Sequence, residues 1–174
     1  MILIGNIIGL LAIAVFNISY QFKKRSQILI CSIVARLLFA LQYVFLGSLQ
    51  GVVMDLVATA VSVVAGKRDH RFIQKNMIVV AVITNAVVVA TGLALYENIF
   101  SIFSILGVAL ETSAFWLKNE KQIRLFSLLG APCWLTFNFA HKAYTGVVGN
   151  VITLISIGVA LIRYDIKKTD KTEI

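Results

Sequence analysis

Charge is scarce in this chain and proline almost absent. Only 14% of its 174 residues are charged, eight of them acidic, and there is one proline. Soluble domains carry about 25% charged residues, whereas here 59% are hydrophobic and mean hydropathy is +0.90. A soluble fold this short cannot bury that much apolar surface in one core, so the excess is expected to face lipid. Cysteine is nearly missing too. Cys31 and Cys133 sit inside apolar runs without CxxC or Cys/His metal spacing, which makes them packing residues and leaves no expected metal site. No HExxH, Gly-x-Ser-x-Gly, P-loop or Rossmann glycine pattern occurs. Span seven holds no lysine for a retinal Schiff base. No enzyme and no cofactor is expected.

What the chain does have is long apolar runs punctuated by basic residues. About 20 apolar residues cross a bilayer as a helix, because lipid offers the backbone no hydrogen-bonding partners. Reading charges and turns as loops predicts an all-α polytopic membrane protein with seven transmembrane helices, over 2–21, 27–47, 50–67, 76–95, 98–117, 122–140 and 145–163. Met1 to Tyr20 has its basic residues after the apolar run, the reverse of a secretory signal, and is read as a retained first helix.

The net charge of +8 could suggest nucleic acid, but its placement argues against that partner. Lys23, Lys24 and Arg25 follow span one; Lys67, Arg68, Arg71 and Lys75 follow span three. Lys118, Lys121 and Arg124 follow span five, and Arg163, Lys167, Lys168 and Lys171 follow span seven. With seven spans, these fourteen of the sixteen basic residues fall on one side of the bilayer. The exceptions are Lys142 and Arg36. The positive-inside rule then puts that side in the cytoplasm, the N-terminus outside and the C-terminus inside.

The chain also aligns with itself at an offset of 95 residues. Gly51-Val52-Val53 falls on Gly146-Val147-Val148, Gln27-Ile28 on Gln122-Ile123, Ser32 on Ser127, Lys23 on Lys118, and Arg68 on Arg163. Asp55 falls on Asn150. The expected organisation is a three-helix repeat over 1–70, a linker helix over 71–95, a second three-helix repeat over 96–165 and a cytoplasmic tail over 166–174. Three helices plus one linker leave the two three-helix bundles parallel, and solutes in such folds bind near the midplane between repeats.

Three charges lie within the apolar runs: Arg36, Asp55 and Glu111. Each costs about 2.5–3.5 kcal/mol at the bilayer centre. Counting about 1.5 Å per helical residue from the basic side, Arg36 lies near 13 Å, Glu111 near 9 Å and Asp55 near 18 Å, so Arg36 can reach either acid. A structural ion pair and a proton- or substrate-coupled charge are both open. Trp134, Asn138 and His141 share one face of span six, with Phe39, Tyr43 and Leu46 as their repeat partners. Asp55, Thr59 and Ser62 share a face of span three, and Asn150 and Thr153 one of span seven. Gly51, Gly146 and Gly149 would let helices approach beside them. The candidate substrate-binding residues are Asp55, Asn150, Trp134, Asn138, Phe39 and Tyr43. His141 is read as an outer loop residue.

The 3–1–3 layout, the outside N-terminus and a mid-span polar residue in the third helix of each repeat resemble the SWEET/PQ-loop superfamily. Over its whole length the chain is also similar to the bacterial YgjV-like inner-membrane proteins. The SWEET resemblance implies alternating access to a pocket holding an asparagine from each repeat. Asn150 matches one of them, while Asp55 stands in place of the other, and of the SWEET hinge prolines only Pro132 is present. PnuC-type vitamin transporters share the layout with the opposite orientation, which the basic loops disfavour. The expected function is a carrier, facilitated or proton-coupled, for a small polar or cationic solute across the bacterial cytoplasmic membrane. The alternative is a non-transporting receptor, scaffold or assembly protein on the same bundle. The lipid bilayer is the other expected partner, and the sequence leaves a homo-oligomer open.

Overall fold

A computed structural model describes residues 2–117, 119–140 and 144–166. The described residues form eight α-helices and no strand: α1 (Ile2–Ser19), α2 (Arg25–Leu46), α3 (Leu49–Gly66), α4 (Arg71–Lys75), α5 (Met77–Ala94), α6 (Ser101–Ala114), α7 (Glu120–Ala140) and α8 (Tyr144–Leu161). A π-helical turn, Ile162–Ile166, extends α8. Seven of the helices sit on the seven apolar runs. The eighth, α4, is a single turn inside the basic 67–75 segment between two of those runs.

The helix ends follow from local chemistry. Between α2 and α3, Gly47 adopts the left-handed backbone (φ 75°) that returns its N–H to the Tyr43 and Val44 carbonyls. Ser48 then caps α3 by accepting from the Gly51 N–H. Two residues therefore suffice to reverse the chain. At the start of α6, the Ser101 hydroxyl accepts from the Glu97 and Asn98 N–H groups. The α-helix proper covers only Ser101–Ala114, shorter than the expected 98–117. The missing residues continue as tighter turns, with N–H groups of 101, 102 and 103 bonding three residues back, and those of 115, 116 and 117 doing the same.

At the opposite end, arginines satisfy the carbonyls that end helices. Arg25 donates to Ala65 O and Phe115 O, Arg68 to Leu117 O at 2.6 Å, and Arg124 to Tyr20 O and Phe22 O at 3.3 and 2.9 Å. By sequence Arg124 belongs with the basic residues that follow span five. It is instead 2% exposed within α7, because the α1 C-terminus offers it carbonyls there. Lys23, Arg124 and Arg163 gather over the Tyr164 ring at 5.6, 5.2 and 5.3 Å.

Burial is inverted relative to a soluble protein. Leu3, Ile78, Leu129 and Ile155 are more than half exposed, while Ser19, Ser32, Ser62, Ser101 and Thr112 are fully buried. On α5 only Val88 and Gly92 are buried. Five helices are long and apolar enough to cross a bilayer: α2, α3, α5, α7 and α8 with the start of its π extension. Helices α1 and α6 are apolar but shorter. The outward apolar faces and inward polar residues suit a bundle solvated by lipid. Helix α2 packs between α1 and α3, and α7 between α6 and α8; α1 meets α8, and α3 meets α5 and α6. Met54, Val61, Val108, Trp134 and Phe137 bind α3, α6 and α7 into one apolar cluster, and Phe16, Tyr20, Ala35 and Ile157 join α1, α2 and α8.

Candidate functional site: a charged cavity inside the bundle

Arg36 lies in the middle of α2, with Phe39 and Tyr43 at i+3 and i+7 on the same face. Its guanidinium donates to Glu111 Oε2 on α6 at 2.5 Å and to Asp55 Oδ1 on α3 at 3.2 Å. All three residues are at most 4% exposed. Three helices are thus tied through one planar fork, whose geometry allows two carboxylates to be met at once. Counted as charges, two carboxylates against one guanidinium leave an excess of one negative charge.

Beside this trio is a cavity of about 70 Å³, room for a few waters. Its lining includes Arg36, Phe39 and Tyr43 of α2, Asp55 of α3, Glu111 of α6, Trp134 and Asn138 of α7, and Asn150 of α8. The structure therefore brings all eight sequence-nominated residues to one space. Thr153 also lines it, whereas Thr59 and Ser62 do not. Ser62 bonds back to Ala58 O within its own helix. His141 and Lys142 lie outside the described residues, as does the tail from residue 167.

Glycines make the space. A methyl group added at Gly51 would fall 2.5 Å from the Tyr43 ring, at Gly146 2.7 Å from the Asn138 amide, and at Gly149 2.5 Å from Ile13. At Gly107 it would meet the Trp134 indole at 2.9 Å, and at Gly9 the Gln42 amide at 2.4 Å. Five side chains of the cavity wall are thus seated on bare backbone of a neighbouring helix. Only close helix approach at small residues permits this.

Sequence reasoning missed the contribution of α1. Ile13 and Phe16 line the cavity with Gln42 of α2. The available signal was Gln42 itself, an amide in an apolar run beside Tyr43. Two donor atoms at the cavity residues are buried without a hydrogen-bonding partner among the described residues: Arg36 Nε and Asn150 Nδ2. Such donors are costly in a dry interior. No group of three metal-ligating side chains occurs among the described residues.

Against known proteins, the model of the Imp-YgjV family, described as a bacterial inner membrane protein, matches residues 3–168. No curated protein and no solved structure matches.

Proposed function

The chain belongs to the Imp-YgjV family of bacterial inner membrane proteins, and from that premise we propose that it is a carrier for a small polar or cationic solute. The observation that carries the reading is the cavity itself: polar and charged side chains from α2, α3, α6, α7 and α8 converge on unfilled space within the bundle. A bundle needing only internal glue would close that space with side chains, since a void forfeits packing. Under this reading α1 to α3 and α6 to α8 are the two parallel repeats, α5 links them, and all seven cross the membrane. The N-terminus is outside. Asp55 and Asn150, 95 residues apart, are equivalent positions offered to the solute from the two halves, and rocking of one half against the other gives alternating access.

A second reading has its own support. Arg36 is engaged with both acids, as a static lock in a receptor, scaffold or assembly protein would be. Reconstituted uptake separates the two. Purified protein in proteoliposomes, screened with labelled amines and polyols, should accumulate one solute class at a rate lost in Asp55→Asn. If the folded wild-type protein moves no solute above empty liposomes, the lock reading replaces the carrier.

A further inference from the structure

The wall of the cavity has a chemistry narrower than "polar". Four aromatic rings, Phe16, Phe39, Tyr43 and Trp134, line it together with Asp55 and Glu111. Ring faces attract cations, most strongly where water is excluded. The carboxylates outnumber the guanidinium, so a proton or a positive solute restores neutrality, and an anion would deepen the imbalance at Asp55 and Glu111. The two arms of Arg36 also differ: 2.5 Å to Glu111 but 3.2 Å to Asp55. Asp55 is the more loosely held acid and the one from which Arg36 can be displaced. Opposite in kind is Asn150, whose Nδ2 is a buried donor lacking an acceptor. A bare alkylammonium would leave that donor unsatisfied; a hydroxyl oxygen would accept from it.

We propose that the cavity binds a small amino alcohol, its ammonium replacing one arm of Arg36 at Asp55 among the aromatic rings and its hydroxyl accepting from Asn150. This deepens the carrier reading and rests on its placement of the solute in the cavity. Glu111 keeps Arg36 in place throughout, so the exchange costs one contact and not two. The space, about 70 Å³ and partly open, suits a small solute.

Three probes with four heavy atoms each dissect the claim: ethanolamine carries both groups, propylamine only the ammonium, and ethylene glycol only hydroxyls. Thermal stability of the purified protein, measured at constant ionic strength, should rise saturably with ethanolamine, less readily with propylamine, and not saturably with ethylene glycol. Asn150→Leu should erase the advantage of ethanolamine over propylamine. Asp55→Asn should raise the half-maximal concentration of both amines by about tenfold or more, the scale of one lost charge-assisted contact. Should Asp55→Asn not fold, Asn150→Leu alone decides. Equal responses to ethanolamine and ethylene glycol, no response to either amine, or an advantage for ethanolamine that survives Asn150→Leu would overturn the proposal. Stabilisation by glycine in its place would also do so, since it would assign Arg36 to a solute carboxylate. Uptake is scored separately in proteoliposomes. Ethanolamine binding without uptake removes the carrier and leaves the site, whereas polyol uptake without amine binding does the reverse.

Discussion

Arg36 and Glu111 are 75 residues apart in the chain and 2.5 Å apart in the fold. The contact joins the middle of α2 to the last turn of α6, in an interior where neither group has bulk water to turn to. Asp55 completes the arrangement from α3. The consequences of removing each member are therefore unequal.

Arg36→Leu strands two carboxylates, while Glu111→Leu and Asp55→Leu each leave one intact pair. Arg36→Leu should be the most damaging single change, at about 3–5 kcal/mol, and either acid variant milder. The triple leucine variant should regain much of the loss, because no charge is left unpaired. Denaturation midpoints in detergent, read as a multiple-mutant cycle, check this. Additive losses across the three would mean that the fork is not the link between them.

Gly51→Ala places a methyl group against the Tyr43 ring. The ring cannot yield without entering the cavity or pushing α3 away from α2. A loss of about 1–3 kcal/mol is expected, typical of overpacking. Combining it with Tyr43→Leu, which removes the obstructing ring, should restore part of that stability. A double variant no better than the sum would place the strain elsewhere.

Asn150→Leu removes a buried donor that has no partner. Stability should be unchanged or higher, by up to about 1 kcal/mol, while uptake falls. Opposite signs in the two measurements mark a residue kept for binding and not for folding. A stability loss with unchanged uptake would assign Asn150 to packing.

The proposed orientation rests on the basic loops. Cysteines placed singly at Asp69 and Asn98, both in exposed positions, in a background lacking Cys31 and Cys133, should differ. Asp69→Cys should resist a membrane-impermeant thiol reagent in intact cells, and Asn98→Cys should react. Labelling at Asp69 from outside would reverse the orientation.

Much of this architecture was legible in the sequence because lipid punishes exceptions. A charge in an apolar run must be satisfied inside, so Arg36, Asp55 and Glu111 mark a meeting place in the sequence itself. Helix positions were legible for the same reason. What escaped was whatever depends on tertiary proximity. Arg124 reads as a boundary charge until the α1 carbonyls that hold it are seen. Phe16 and Ile13 look like any lipid-facing residues of α1 until α8 is packed beside them. The true length of α6 was hidden too, since tight turns and α-helix share the same apolar composition.

Arg25, Arg68 and Arg124 act as clasps between separate stretches of chain as well as belonging to the basic flanks that a membrane-insertion machinery counts. Under the proposed orientation, topology signal and assembly are written in the same three residues. An attempt to invert the protein by moving these cations would undo the fastenings at the ends of α1, α3 and α6, so a flipped molecule would also be a loosened one. A cell would meet such variants as substrates for degradation before it met them as proteins of reversed direction.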